Sequence, residues 1–312
     1  MNDGMIVSFI SHACVKYKSK DITLITDPWI TDDPIYSDSI YKLPHTFDDV
    51  DTICNDVNWV YISHTHEDHF HIPSLNLFNK NVNFIIPDFS FHEQGRRGTV
   101  LKDTLVKLGF KNIYSLLPWE ELKLSEEVKV TMIPSAKSRY FDWENSGLSV
   151  SYKNKNILNM NDNVADEDLC LDIIDKIGDV DIYFVQSASV TTYPSCFVMP
   201  EKEKDKIVAS KIENYSYQDI VIDKIKPKIL IPYAGDLGWF GRQTKFNYWS
   251  RSTPLDLYEY IISRGVESII FESGDHIYID QENIKIHSNF SYQNVHGGKG
   301  VIKPHKFFTE HS

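Results

Sequence analysis

Short runs of Val, Ile, Thr and Leu, alternating or wholly apolar, recur along the chain and predict strands at residues 6–10, 13–17 and 22–26. Pro28 cannot continue a ladder and ends the third of these. An irregular stretch follows over residues 30–48, with Pro34 and Pro44 inside it. Loops of that length in compact domains tend to cover active sites or to be mobile. From residue 59 onward, strand and helix patterns alternate. Strands are expected at 59–63, 82–86, 113–116, 128–133, 148–152, 157–160, 182–185, 228–231 and 267–271. Helices are expected at 99–108 (ended by Gly109), 166–177 (closed by Gly178), 201–225 (stopping before Pro227) and 254–263. No short-period repeat or low-complexity segment interrupts the pattern, which excludes a solenoid. Strands in both halves with helices between them predict two sheets covered by helices, an α/β four-layer αββα sandwich. One domain is expected over residues 1–290, with a polar tail over 291–312.

Composition narrows the function classes. The chain has 312 residues, 42% of them hydrophobic and 24% charged, ordinary for a globular protein with a large core. A formal net charge of −12 works against nucleic acid, whose phosphates call for clustered Lys and Arg. Residues 201–206, Glu-Lys-Glu-Lys-Asp-Lys, mix both signs and read as a solvated helix face. No apolar stretch approaches the ~20 residues a membrane span needs, and the N-terminus lacks a signal-peptide pattern. Cys14, Cys54, Cys170 and Cys196 are scattered, which fits free thiols in a reducing, cytoplasmic compartment.

The chemistry concentrates in residues 61–71, Tyr-Ile-Ser-His-Thr-His-Glu-Asp-His-Phe-His. His64, His66, Asp68 and His69 form a His-x-His-x-Asp-His cluster directly after an apolar run. Imidazoles and a carboxylate at this density suit Zn²⁺, Fe or Mn. A strand end gives such ligands a rigid base, and Pro73 is placed to open a helix behind them.

This motif after a strand, in a chain so organised, resembles the metallo-β-lactamase superfamily. The resemblance implies the αββα fold with a metal site at the edge between the sheets. It implies His64 and His66 at one metal position, and Asp68 and His69 at the second. Asp162, closing Ile157-Leu-Asn-Met-Asn-Asp162, matches the place of a bridging carboxylate; a strand-end cap is the alternative. Four segments resemble, in order, the catalytic domain of the CMP-N-acetylneuraminate hydroxylase group, an iron- and oxygen-using branch. They are Ser11-His-Ala-Cys-Val-Lys16, Thr26-Asp-Pro-Trp-Ile30, residues 59–69, and Lys228-Ile-Leu-Ile-Pro-Tyr-Ala-Gly235.

Two departures matter. That branch normally carries a Rieske domain, which needs paired Cys and His, yet no Cys here has a His within three positions after it. A separate electron-transfer protein, or a different chemistry, is then implied. The superfamily's further histidines are also missing. Asp142 or Glu144 stands near one of those places and Asp236 near the other. A carboxylate-richer shell favours Fe among two metal ions, with Zn²⁺ and Mn²⁺ also fitting.

His12 either contributes to catalysis at the pocket or is a buried, hydrogen-bonded core residue. His71 reads as a surface or supporting residue, and His45 as an ordinary loop histidine. Asp27 is expected to orient the metal loop through backbone N–H groups. Trp239, Phe240, Phe246, Tyr248 and Trp249 divide between core and pocket wall. Gly95-Arg96-Arg97-Gly98 reads as an exposed turn, or as a contact for an anionic substrate.

The expected activity is oxidation of a small polar substrate by a non-haem di-iron oxygenase or oxidase. The alternative is a hydrolase, with metals lowering the pKa of a bound water to ~7 for attack on an ester, lactone, amide or phosphodiester. A non-enzymatic binding protein would have no reason to keep the clustered ligands.

Overall fold

The structure is a computed structural model and describes residues 4–42, 46, 49–88, 98–136, 145–187, 193–212, 215–235, 237–249 and 253–288. The strands are β1 Met5–Ser11, β2 Cys14–Lys18, β3 Thr23–Thr26, β4 Ile40–Lys42, β5 Trp59–Tyr61, β6 Asn83–Pro87, β7 Asn112–Leu116 and β8 Glu121–Lys123. They continue with β9 Val128–Ile133, β10 Gly147–Tyr152, β11 Lys155–Asn159, β12 Ile182–Gln186, β13 Ile229–Tyr233, β14 Leu237–Trp239, β15 His276–Ile279 and β16 Ile284–His287. The helices are α1 Val50–Cys54, α2 Ile72–Leu75, α3 Gly98–Lys107, α4 Glu167–Ile177, α5 Glu201–Ile212, α6 Ser216–Ile220 and α7 Pro254–Ser263.

Eight strands form one sheet in the order β16-β15-β1-β2-β3-β5-β6-β7, and six form a second in the order β13-β12-β11-β10-β9-β8. Val7, Val15, Leu24 and Tyr61 of the first face Val130, Val150, Ile157, Phe184 and Ile231 of the second in one apolar cluster. A second cluster joins the outer face of the larger sheet, through Ile25, Val60, Phe84 and Ile86, to Leu75 of α2 and Leu101 and Leu105 of α3. A third joins Leu158, Tyr183 and Leu230 to Leu169 and Ile173 of α4 and Leu257 and Ile261 of α7. Three apolar interfaces between helix, sheet, sheet and helix make the four layers. Strands buried on both faces, such as β6 and β13, read as nearly continuous apolar runs for this reason.

The pairing places chemistry at one edge. β3, β5, β6 and β7 run parallel in the first sheet, as do β11, β12 and β13 in the second. Ligand sites in such sheets lie beyond the carboxyl ends of the strands. Asp27 follows β3, Ser63 to His69 follow β5, Asp162 follows β11 and Gln186 ends β12. The Ala234 N–H after β13 donates to the His12 carbonyl at 3.1 Å, tying the second sheet to the β1–β2 hairpin.

Three local expectations change. The helix expected over 201–225 is broken. After α6, Val221–Ile225 forms a wider π turn that ends at Lys226 in a left-handed conformation (φ 54). Val221, Ile222 and Ile225 are all buried there, which the wider turn allows. The strand expected at 267–271 reduces to one bridge between Glu267 and Ile229. Ser268 Oγ then donates to the Leu230 carbonyl at 2.7 Å, so the edge of β13 is covered without a ladder. The irregular stretch after residue 30 contains β4, which pairs with β14 in a two-stranded ribbon. The tail expected at 291–312 lies outside the described residues.

Candidate metal centre

Asp27 anchors the site. It is fully buried with φ 40, and its carboxylate accepts the Ser63 N–H and the Ser63 hydroxyl, each at 2.8 Å. The same carboxylate lies 2.9 Å from His69 Nδ1. Ser63 Oγ in turn lies 2.9 Å from His64 Nδ1. With the Ser63 proton given to Asp27, Oγ accepts from His64. Both imidazoles are thereby held with Nδ1 as donor and Nε2 as a free lone pair. His64 Nε2 and His69 Nε2 are buried without a hydrogen-bond partner among the described residues. Orphaned lone pairs of this kind, each beside an oxygen of Asp162, are what cations would satisfy.

Asp162 stands between the two rings. Its Oδ1 is 3.4 Å from His69 Nε2 and its Oδ2 is 3.9 Å from His64 Nε2. Gln186 Nε2 donates to Oδ1 at 2.7 Å, and the Asp162 N–H donates to Asn161 Oδ1 at 2.7 Å. Asn161 (φ 39) is held from beneath by the Tyr233 hydroxyl, which accepts its N–H at 2.6 Å, and by the Ser146 carbonyl at 2.9 Å. Ser146 Oγ reaches the Ser63 carbonyl at 2.9 Å, so one buried network supports both the His loop and Asp162.

His12 sits in the β1–β2 turn with φ 45 and is 2% exposed. Its Nε2 is 3.2 Å from Asp68 Oδ2, while Nδ1 has no partner among the described residues. Two groups of ligand atoms result, each within 4.8 Å: His64, His66 and Asp162; and His12, Asp68 and His69.

The electrostatics favour a cation. Burial lowers the pKa of His64 well below its ordinary value, with His69 adding to the effect. Burial also penalises charge on His69, but Asp68, Asp162 and Asp27 outweigh it and raise its pKa well above the usual range. Asp68 and Asp162 are held low by His69 against their own burial. The carboxylates thus draw positive charge onto the one imidazole they surround, and a metal ion would supply it instead.

Other expected residues fall differently. Asp27 orients the loop through the Ser63 N–H and also through two side chains. His71 is buried rather than on the surface, and its Nδ1 is 2.8 Å from Ser74 Oγ, which accepts the Ile30 and Thr31 N–H groups. Burial pushes the His71 pKa down to about 4. Trp239 packs with Trp29, Ile35 and Ile40, and Phe240 meets Tyr41 at a tilt with ring centroids 4.8 Å apart. Phe246 meets Trp239 edge-on at 5.7 Å. Asp236, Asp142, Glu144, His45, residues 95–97 and the side chains of Tyr248 and Trp249 lie outside the described residues. Ser63, Asn161 and Gln186 carry no spacing motif. Their weak signal is a polar residue at the end of a buried apolar strand.

Fold and site together define a metallo-β-lactamase-fold protein with histidine and carboxylate ligand groups where its two sheets meet. Residues 6–185, more than half of the chain, match the family described as β-lactamase superfamily domain, and the chain belongs to that family. It is 28% identical over 207 residues to a putative Rieske 2Fe-2S iron-sulfur protein of Mycolicibacterium smegmatis, covering 64% of this chain and 38% of that one. It is 22% identical over 264 residues to cytidine monophosphate-N-acetylneuraminic acid hydroxylase of Danio rerio, covering 81% and 39%. The chain thus spans about two fifths of the length of these relatives. Among solved structures, CmlA, a diiron β-hydroxylase from Streptomyces venezuelae, superposes with a TM-score of 0.60 at 15% identity, covering 89% of this chain and 54% of that one. An isothiocyanate hydrolase from Delia radicum gut bacteria does so with a TM-score of 0.60 at 14% identity, covering 87% and 98%. At these identities the two structures speak for the fold alone. Among the described residues no helix is long and apolar enough to cross a membrane.

Proposed function

We propose that this metal-dependent enzyme is a non-haem di-iron oxidoreductase that oxidises a small polar substrate with electrons from a separate donor protein. The carrying observation is the composition of the two ligand groups. Each offers two histidines and one carboxylate. Two histidines and a carboxylate with open positions are the ligand pattern of non-haem Fe(II) oxygenases, a pattern that some catalytic zinc sites share. The names of the relatives, an iron–sulfur protein and a hydroxylase, support the same reading.

Two iron ions, when bound, would supply oxygen activation and redox capacity. The chain's own residues do the rest. His64, His66 and Asp162 would hold one ion, and His12, Asp68 and His69 the other. Asp27 and Ser63 engage the Nδ1 side of His69 and His64 and so turn each Nε2 toward the ions. Gln186 fixes the carboxylate of Asp162 and Asn161 its backbone N–H, so the side chain need not reorganise during turnover. His64 and His69 are sealed from solvent, while Asp162 is 18% and Asp68 13% exposed. Substrate therefore approaches over these two carboxylates and His66, and water is kept from the inner rings.

Metal analysis and optical spectroscopy of aerobically purified protein test the reading. About two iron ions per chain are expected, with near-ultraviolet or visible absorption that changes on reduction under argon and again on adding oxygen. A colourless protein holding two Zn²⁺ and cleaving esters or phosphodiesters without oxygen would replace it with the hydrolase reading.

A further inference from the structure

We infer that the Tyr36 hydroxyl is a substrate-binding donor, recognising an anionic oxygen, carboxylate or phosphate, at the His12, Asp68 and His69 end of the centre. The inference rests on the metal-centre reading above and adds the substrate's charge and one recognition residue.

Tyr36, Ser37 and Asp38 have φ of 49, 57 and 60, three consecutive non-glycine residues in the left-handed region. L-residues resist this conformation, and a run of three persists only where its surroundings hold it. Two contacts do so. Ile35 and Ile40 close the loop as a bridge, with N–H to carbonyl distances of 3.0 and 3.3 Å. The Tyr36 N–H donates to Glu67 Oε2 at 2.6 Å. Glu67 is the residue between His66 and Asp68, inside the metal motif, and it belongs to neither ligand group. Its carboxylate instead fixes the loop that carries Tyr36 against the ligands.

The consequence is where the phenol lands. Tyr36 Oη is 3.5 Å from Asp68 Oδ1, while Asp68 Oδ2 faces His12 and His69 at 3.2 and 3.5 Å. The hydroxyl therefore borders the outer oxygen of a ligand carboxylate, on the side away from the buried imidazoles. At 3.5 Å its bond to Asp68 is long, so the proton is free to turn to a better acceptor. Tyr36 is 40% exposed, unlike the sealed histidines, so it faces incoming substrate as well. A phenol is a neutral O–H donor at neutral pH. A neutral donor beside a cation recognises an anionic oxygen: the cation supplies charge and the phenol supplies direction.

The test uses the full chain loaded with Co²⁺, whose visible spectrum reports on anions entering its coordination sphere. Acetate and inorganic phosphate are titrated separately, which distinguishes the two anion sources. Wild-type protein is expected to bind one of them, and Tyr36→Phe to bind it about 10- to 100-fold more weakly at unchanged cobalt content. Glu67→Ala is expected to weaken the same anion, and the double variant to be no weaker than Tyr36→Phe alone, because Glu67 acts through the phenol. Wild-type affinity in Tyr36→Phe, or loss of cobalt from it, would overturn the inference, as would a cobalt-loaded wild type that binds neither anion. A wild type that takes up no cobalt would instead bring down the metal centre, and this inference with it.

Discussion

Asp27 Oδ2 and His69 Nδ1 lie 2.9 Å apart with both side chains fully sealed from solvent. The contact joins the carboxyl end of β3 to the ligand loop after β5, two parallel neighbours whose ends the sheet brings together. Asp27 also satisfies the Ser63 N–H and hydroxyl, so a single buried carboxylate sets the direction of two coordinating rings.

Asp27→Ala should therefore weaken metal binding about 10- to 100-fold, as loss of a ligand's supporting partner does elsewhere. It also orphans a buried N–H, costing about 1–3 kcal/mol of stability. Metal retention on dialysis against a graded chelator, with a thermal melt beside it, checks both. Metal retention equal to wild type would show that the histidines orient themselves.

His12 and His64 belong to different ligand groups, so their removal should cost different ions. His64→Ala and His12→Ala are each expected to keep about one metal per chain and an unchanged circular dichroism spectrum. His66→Ala should behave like His64→Ala. Ligands on turns contribute more to the site than to the core, so unfolding is not expected. Two retained ions in His12→Ala would return that residue to an ordinary buried histidine.

On the proposed reading, in which the Asp162 carboxylate sets the spacing and charge of the centre, Asp162→Asn should lower turnover at least ~100-fold in the first assay that registers activity. The variant still accepts the Gln186 amide and still caps β11, so a strand-cap role predicts near-normal turnover.

What could be read from the chain alone follows from how local each signal is. β6 and β13 are buried on both faces and leave nearly unbroken apolar runs, so the layering was legible. The ligands from His64 to His69 share one turn, and Asp162 ends an apolar run, so both stand out in one dimension. His12 stood out only through the matched Ser11-His-Ala-Cys-Val-Lys16 segment: a lone histidine in a hairpin has no spacing to mark it as a ligand, and only the third dimension sets it 3.2 Å from Asp68. Tyr36 is silent for the same reason, since Glu67 is 31 positions away in the chain. β4 and β14 are three residues each and pair across most of the chain, too short for any periodicity to show. The division of the helix expected over 201–225 was hidden because Glu201 to Ile225 contains neither Gly nor Pro.

Lys42 offers a pH test of how the Tyr36 loop is anchored. It is 2% exposed, and its ammonium donates to the Trp29 and Ile30 carbonyls and, at 2.7 Å, to Thr46 Oγ1. These bonds pin the base of the loop that leads from Asp27 to Tyr36. Burial lowers the Lys42 pKa to about 8, although Asp32 pulls the other way. In the unfolded chain the amine titrates near 10.4. Between those values the unfolded state holds more protons than the folded one, so folding becomes more favourable as pH rises from about 8 to about 10.4. Below about 8 both states are charged, and the full burial penalty applies. Lys42→Met removes this titration while other lysines and tyrosines titrate equally in both proteins. The stability of wild type relative to Lys42→Met should thus climb by on the order of 1–3 kcal/mol across the window. Urea unfolding of both proteins at several pH values from about 7.5 to 10 measures it. Parallel curves would mean that the Lys42 amine keeps an ordinary pKa and that the loop base is solvated in solution.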